Sequence, residues 1–358
     1  MPLTKINHAT ATSFLAVSEQ TQRVFALLGS PGIGKSRCIH DYVAYRRAQI
    51  PDYGYIDSRL LYYDATDLKG FPSIDKESGT SVWLSPQGFP LQKNVDSGLI
   101  PEFGLWAFEE FNSATPTVSA ACYQAMLDRE INGEKIAPGW FIVALGNTRR
   151  DKGVVNRIPS PLVSRMWMCQ LEVSNDEWIE WAFDADIDPS LIAYFKYRPN
   201  VLMSFNPDEW EQDTPYCCPR SAEILSDNIK VWRDLNGGKK PPLELVCGCI
   251  GEGAGTEFWA YMDIFSRLPD IERICSGDKA YIKKSNVPKE PSELYAVAVA
   301  LAKKVTKKNY KHVDAYMQLM PTEYEISTTR DIISRDRSFT GTDTFIAHTK
   351  RHKEVYAA

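Results

Sequence analysis

The chain has 358 residues and a mass of 40.5 kDa, enough for two or three compact units at ~100–200 residues each. Apolar residues make up 44% and charged residues 24%, a globular balance that excludes a disordered or fibrous protein. Lys plus Arg is 41 against 46 Asp plus Glu, a net charge of −5, which argues against coating nucleic acid by bulk charge and leaves only a local basic patch open. No apolar run approaches the ~18 residues of a membrane span, and the first residues lack the charged-then-apolar layout of a secretory leader. The eight cysteines include an adjacent pair (Cys217, Cys218) and a C-x-C (Cys247, Cys249), neither with zinc or redox spacing, so reduced thiols in a cytoplasmic protein are expected.

In chain order, Val24–Leu28, Leu60–Tyr63, Leu105–Phe108 and Phe141–Leu145 are apolar runs of strand length, with Met166–Leu171 as a fifth. Near-continuous apolarity predicts strands covered on both faces, hence a parallel sheet in an α/β domain. Asn132-Gly133, between Glu130-Ile131 and Glu134-Lys135-Ile136, predicts a hairpin turn. After residue 173 the strand pattern fades. Helices are predicted at Asp176–Ala182 behind a Ser/Asn cap at 174–175, and at Ser221–Ile229. A Gly-Gly-Lys-Lys-Pro-Pro break at 237–242 follows, then helices at Gly255–Leu268, Pro291–Val305 and Asp343–Lys353. The expected organisation is an α/β core at 1–172, a helical lid at 173–238 and a helical extension at 239–358.

Gly29-Ser30-Pro31-Gly32-Ile33-Gly34-Lys35-Ser36, followed by Arg37, fits G-x-x-x-x-G-K-[ST] between a strand and a helix. Its glycines let backbone N–H groups turn inward toward phosphate oxygens, and the helix behind presents its positive end. Lys35 supplies a point charge for the β- and γ-phosphates, and the Ser36 hydroxyl is a hard ligand for Mg²⁺. An NTP phosphate site also needs a carboxylate at the end of a neighbouring strand. Leu105–Phe108 runs into Glu109 and Glu110, the first placed for the Mg²⁺ shell and the second for the attacking water.

These motifs resemble the AAA+ ATPases, and among them the MoxR-like branch in a subgroup of bacterial and phage genomes. The matching segments are Asp67–Pro72, Phe108–Ala114, Ala144–Asp151 and Ile158–Met166. Further on they are Glu177–Ala182, Cys218–Ser221 and Gly251–Phe258, so the resemblance spans most of the chain. It implies an AAA+ P-loop core of parallel sheet and helices, with a helical lid and a helical extension. It implies that Asn147 is sensor one, polarising the attacking water. Arg165 would be an arginine finger reaching a neighbouring subunit's site, with Arg157 as a second basic candidate, and Arg220 would be sensor two. An ordinary loop asparagine and ordinary surface arginines are the plain alternatives. The family pattern has Asp-Glu where this chain has Glu109-Glu110; the longer Glu109 arm would crowd a water of the Mg²⁺ shell and slow turnover.

The resemblance further implies a homo-oligomer, a hexameric ring, that remodels a protein client, often with a partner bearing a von Willebrand factor A domain. Lys69-Gly70-Phe71-Pro72 suits a loop facing the ring's pore, with Trp83 and Phe89 expected on a hairpin after it; core packing of these aromatics is the alternative. Lys303, Lys304, Lys307, Lys308 and Lys311 form a basic cluster that keeps a DNA-associated factor open, against a solvated helix face. A scaffold that binds ATP and scarcely turns it over is a third reading. His348 and His352 share a helix face at i, i+4, but no third ligand is visible in the sequence, which favours ordinary histidines.

Overall fold

The computed structural model describes residues 3–148, 151, 155–208, 213–265 and 267–356. The chain divides into two compact units, Met1–Val173 and Ser174–Ala358.

The first unit runs β1 (Thr4–Ile6), α1 (His8–Thr21), β2 (Phe25–Leu28), α2 (Lys35–Arg47), β3 (Gly54–Arg59), α3 (Ala65–Lys69), β4 (Phe71–Ile74), β5 (Ser81–Leu84) and α4 (Gln92–Asp96). It continues with β6 (Gly104–Glu109), α5 (Pro116–Asp128), β7 (Glu130–Ile131), β8 (Glu134–Lys135), β9 (Trp140–Gly146), α6 (Ser160–Val163) and β10 (Trp167–Leu171). Six strands form one parallel sheet in the order β1-β10-β2-β9-β6-β3. β2, β9 and β6 are buried along their length because helices cover both faces, while β10 is buried only in part. On one face Phe14 of α1 meets Phe25 edge-on at 5.9 Å and Tyr42 of α2 meets Phe141 at 6.1 Å. On the other, Ala26, Leu28, Trp106, Phe108, Ile142 and Ala144 share a core with Val118, Ala121 and Ala125 of α5. Each large side chain buried here contributes about 1.5–3 kcal/mol of hydrophobic stabilisation.

Four of the five predicted strands stand as β2, β6, β9 and β10. The fifth is displaced. Leu60–Tyr62 is a 3₁₀ turn, and the strand is the less apolar Gly54–Arg59 just before it. β3 is an edge strand that pairs only with β6, so it needs no continuous apolar run. Of the run that suggested a strand, Leu60 is buried while Leu61 and Tyr62 face solvent. The Asn-Gly hairpin forms as predicted: Asn132 (φ 50°) and Gly133 (φ 81°) both take the left-handed conformation between β7 and β8.

The second unit is helical: α7 (Asn175–Asp184), α8 (Pro189–Tyr197), α9 (Pro219–Leu235), α10 (Leu243–Ile250), α11 (Glu252–Phe265) and α12 (Ile271–Cys275). Then follow α13 (Pro291–Lys304), α14 (Tyr310–Met317), α15 (Thr322–Arg335), α16 (Asp343–Arg351) and α17 (Lys353–Tyr356). Ser174 caps α7 by accepting from Glu177 N at 3.3 Å, and proline opens α8, α9 and α13, where no N–H partner is needed. The buried run Leu191–Phe195 of α8 packs on the buried run Ala296–Val299 of α13. Lys196 of α8 and Asp331 of α15 form an ion pair at 2.5 Å with little exposure. The break at 237–242 joins α9 to α10, and those two helices pack on each other within the same unit. All eight cysteines are free thiols.

Candidate active site

The register of the sheet gathers the candidate residues. Leu28, Gly146 and Glu109 end three successive strands, with Leu28 opposite Gly146 and Phe108 opposite Ala144. The loop after β2, the loop after β9 and the acidic pair after β6 therefore open on one edge, with β9 between the other two.

The loop from Gly29 to Gly34 joins β2 to α2, with Gly32 at φ 77° and Gly34 at φ 97°, conformations that favour glycine. A side chain at Gly29 would stand 2.5 Å from Ile33 Cδ1 and 3.2 Å from the Leu171 carbonyl. Lys35 opens α2 and is buried; its ammonium donates to Gly29 O (2.6 Å), Ser30 O (3.0 Å) and Asn147 Oδ1 (3.0 Å). Pro31 and Ile33 complete the turn, Ile33 buried beneath it. Arg37 is exposed and pairs with Asp41 one turn along α2 at 2.8 Å.

Glu110 follows β6 with φ 54°, a conformation that costs a non-glycine residue about 1–3 kcal/mol. Its surroundings hold it there. Phe111 N donates to Leu145 O at 3.1 Å and Ser113 N to Glu110 O at 2.9 Å, while Asn147 Nδ2 donates to Glu110 Oε2 at 2.7 Å. The Asn147 amide thus accepts from Lys35 and donates to Glu110, linking the lysine of the Gly-rich loop to the second carboxylate.

Glu109 is buried, and the nearby Ser36 hydroxyl favours its charged form. Burial raises the Glu109 carboxyl above its ordinary range, and the charges of Asp57 and Glu110 push the same way; Ser36 and Lys35 offset this only in part. A buried carboxylate beside a half-buried hydroxyl offers two hard oxygen ligands that fit a cation such as Mg²⁺, so these two residues suit the metal role.

Two residues outside the predicted set hold this arrangement. Asn112, 5% exposed, clamps the main chain of Asn147 from both sides: Oδ1 accepts from Asn147 N at 3.2 Å, and Nδ2 donates to Asn147 O at 2.8 Å. A methyl at Gly146 would lie 2.3 Å from Asn112 Oδ1, so this close approach requires glycine. Asp151 accepts from Ser30 Oγ at 2.8 Å and from Thr148 N and Oγ1 at 2.7 and 2.6 Å, tying the loop after β9 to the phosphate loop. Spacing alone reveals neither, although both sit inside segments that carry the resemblance. Arg149 and Arg150 of the same segment lie outside the described residues.

Arg157 and Arg165 are exposed, on the segments before and after α6, and neither takes part in the Lys35–Glu110 network. Arg220 is exposed in the first turn of α9, in the second unit. The hairpin of β4 and β5 contains Phe71 and Trp83, but not Phe89. Phe89 is buried against Trp106 at 4.8 Å, in the core. Phe71 (63% exposed), Ile74 (74%) and Trp83 (46%) face solvent, so within this chain these aromatics are not core. Gly70 hinges the strand entry at φ 80°, where a side chain would meet the Leu84 carbonyl at 2.0 Å.

Fold and site together define an α/β P-loop NTPase core joined to a helical C-terminal region. No protein-family model matches the chain, and no curated protein matches its sequence. Among solved structures it is similar to a point mutant of RuvB from Thermotoga maritima, at 14% identity over 87% of this chain and 88% of that one, with a TM-score of 0.40. It is also similar to NtrX from Brucella abortus, at 12% identity over 94% of this chain and 66% of that one, TM-score 0.38. A third similarity is to Drosophila ORC bound to DNA, at 10% identity over 93% and 63%, TM-score 0.36. None of these likenesses bears on the site, which is defined by its own motifs and geometry.

Proposed function

We propose that the chain is a MoxR-like AAA+ ATPase that hydrolyses ATP at subunit interfaces to remodel a protein client. The observation that carries this reading is the chain of direct hydrogen bonds from Lys35 through Asn147 to Glu110, beside the Ser36–Glu109 pair. The backbone of Gly29–Gly34 and the Lys35 ammonium bind the phosphates. Ser36 and Glu109 would hold Mg²⁺, which when bound neutralises charge on the β- and γ-phosphates. Glu110 takes the proton of the attacking water, and Asn147 holds that carboxylate while its amide orients the water. Exposure of Arg165 suits a finger given to a neighbouring protomer's site, where it offsets transition-state charge, and exposure of Arg220 leaves it free for the sensor-two role. A finger given in trans requires an oligomer, and the resemblance supplies the hexameric ring and the von Willebrand factor A-domain partner.

The apolar β4–β5 hairpin supports a grip on extended polypeptide. The lysine cluster lends little to a DNA-associated reading: Lys303 pairs with Asp186 at 3.1 Å and Lys304 with Glu272 at 2.7 Å. The test is the Glu110→Gln variant, expected to retain ATP uncleaved and to hold the client through purification. Absence of ATPase activity in the purified wild-type chain at any concentration, with or without partner, refutes the motor.

A further inference from the structure

The second unit brings three metal-ligating side chains together. His348 and His352 lie one turn apart on and just after α16, and Glu325 of α15, 23 residues away in sequence from His348, faces both. His348 Nδ1 stands 3.2 Å from Glu325 Oε1, and His352 Nε2 stands 3.1 Å from the same oxygen. One ligand atom from each residue lies within 4.8 Å of the other two. Ligands held at ~2.0–2.1 Å around a tetrahedral zinc ion are about 3.3 Å apart, so both nitrogen–oxygen separations match a shared ion.

Three further features point the same way. His348 is fully buried and Glu325 nearly so, while His352 is the outermost of the three. The buried Nε2 of His352 finds no hydrogen-bond partner of adequate geometry, despite its proximity to Glu325. The far nitrogen of His348 is 3.1 Å from the Tyr356 hydroxyl of α17. That hydroxyl can accept from Nε2–H, leaving the Nδ1 lone pair aimed inward, the outer contact that orients a ligating imidazole.

Charge is also compatible. Arg351 bonds Asp314 Oδ1 at 2.6 Å and Glu325 Oε1 at 2.9 Å. The Asp314 and Glu325 carboxylates share the single Arg351 guanidinium, so a cation could take over Glu325 without stranding Arg351. The guanidinium then keeps Asp314 and yields Glu325.

We infer that Glu325, His348 and His352 form a zinc-type divalent metal site, separate from the phosphate site, that staples α16 to α15. Two imidazoles and one carboxylate favour a borderline transition ion over Mg²⁺, and leave a fourth position for water.

The test uses the full chain, stripped with chelator and titrated with Zn²⁺ in competition with a chromogenic chelator, with thermal unfolding followed in parallel. Co²⁺ serves as the optical probe of ligand type. Expected are one ion per chain, a higher melting temperature with Zn²⁺, and a Co²⁺ spectrum without a thiolate charge-transfer band. His352→Ala, at the outer edge of the cluster, should weaken binding about 10-fold or more and abolish the thermal shift. Glu325→Gln should act alike, while the exposed His40→Ala in the first unit should bind as wild type. Failure of wild type to bind, binding undiminished in His352→Ala, or a thiolate band would overturn the assignment.

Discussion

Replacing Asn112 with alanine removes both hydrogen bonds that clamp the main chain of Asn147, at 3.2 and 2.8 Å. Asn112 is buried and Asn147 half-buried, so Asn147 N and O lose their partners with only partial access to water. Leaving two buried groups unsatisfied at ~1–3 kcal/mol each, relieved in part by relaxation, gives a loss of about 2–4 kcal/mol. That strain falls on the residue linking Lys35 to Glu110. A displacement of ~1 Å in catalytic geometry costs up to about 100-fold in rate, so kcat should fall about 10- to 100-fold. Asn147 Oδ1 accepts from Lys35 and Gly146 O from Gly29 N, so ATP affinity should fall too, but with the Gly29–Gly34 backbone donors intact it should fall less than kcat. Steady-state ATPase measurements beside equilibrium nucleotide binding and thermal unfolding separate these terms. Asn112→Asp retains the acceptor for Asn147 N but sets a carboxylate against Asn147 O, and kcat should again drop more than ATP affinity. A lowered melting temperature with kcat unchanged in both variants would mean the clamp only stabilises the fold.

Shortening the metal-side carboxylate with Glu109→Asp should raise turnover if the longer arm crowds the Mg²⁺ shell, measured as kcat at saturating Mg²⁺; an unchanged or lower rate removes that explanation. Arg165→Ala should leave ATP affinity near wild type and cut kcat by about 10³-fold, with activity partly restored by mixing in Lys35→Ala subunits, which supply an intact finger. A rate drop that mixing never restores would contradict transfer of the arginine between protomers. Phe71→Ala and Trp83→Ala, on the exposed hairpin, should change stability by about 0.5 kcal/mol or less while lowering client-stimulated ATPase. Loss of basal activity or of folding would place these aromatics in a structural role instead.

The parts of this architecture legible in the sequence are those whose causes are local. β2, β6 and β9 are interior strands covered on both faces, so their apolar runs announce them, and the phosphate loop is written in eight consecutive residues. β3 misled because an edge strand with Asp57 and Arg59 on its open side lacks that pattern, while the more apolar Leu60–Tyr62 forms a turn. β1, three residues long and also at an edge, left no comparable trace. Asn112 and Asp151 carry no motif of their own: Asn112 bonds the Asn147 main chain and Asp151 the Ser30 hydroxyl, partners that only the fold brings near. The pairing of His348 and His352 was visible, whereas Glu325 joins them only through the packing of α15 against its neighbours. Arg220 stands in the first turn of α9, at a helix start as the sequence pattern predicts.

In the proposed function, ATP-Mg is held by the loop ending in Lys35, near the carboxylates that follow β6. Equilibrium binding of ATP-Mg to the wild-type chain and to Lys35→Ala, measured side by side, tests this. Saturable 1:1 binding by wild type, lost by about 100-fold or more when the ammonium is removed, is the predicted result. Equal affinity in the two proteins, or no binding by the wild type, would contradict it.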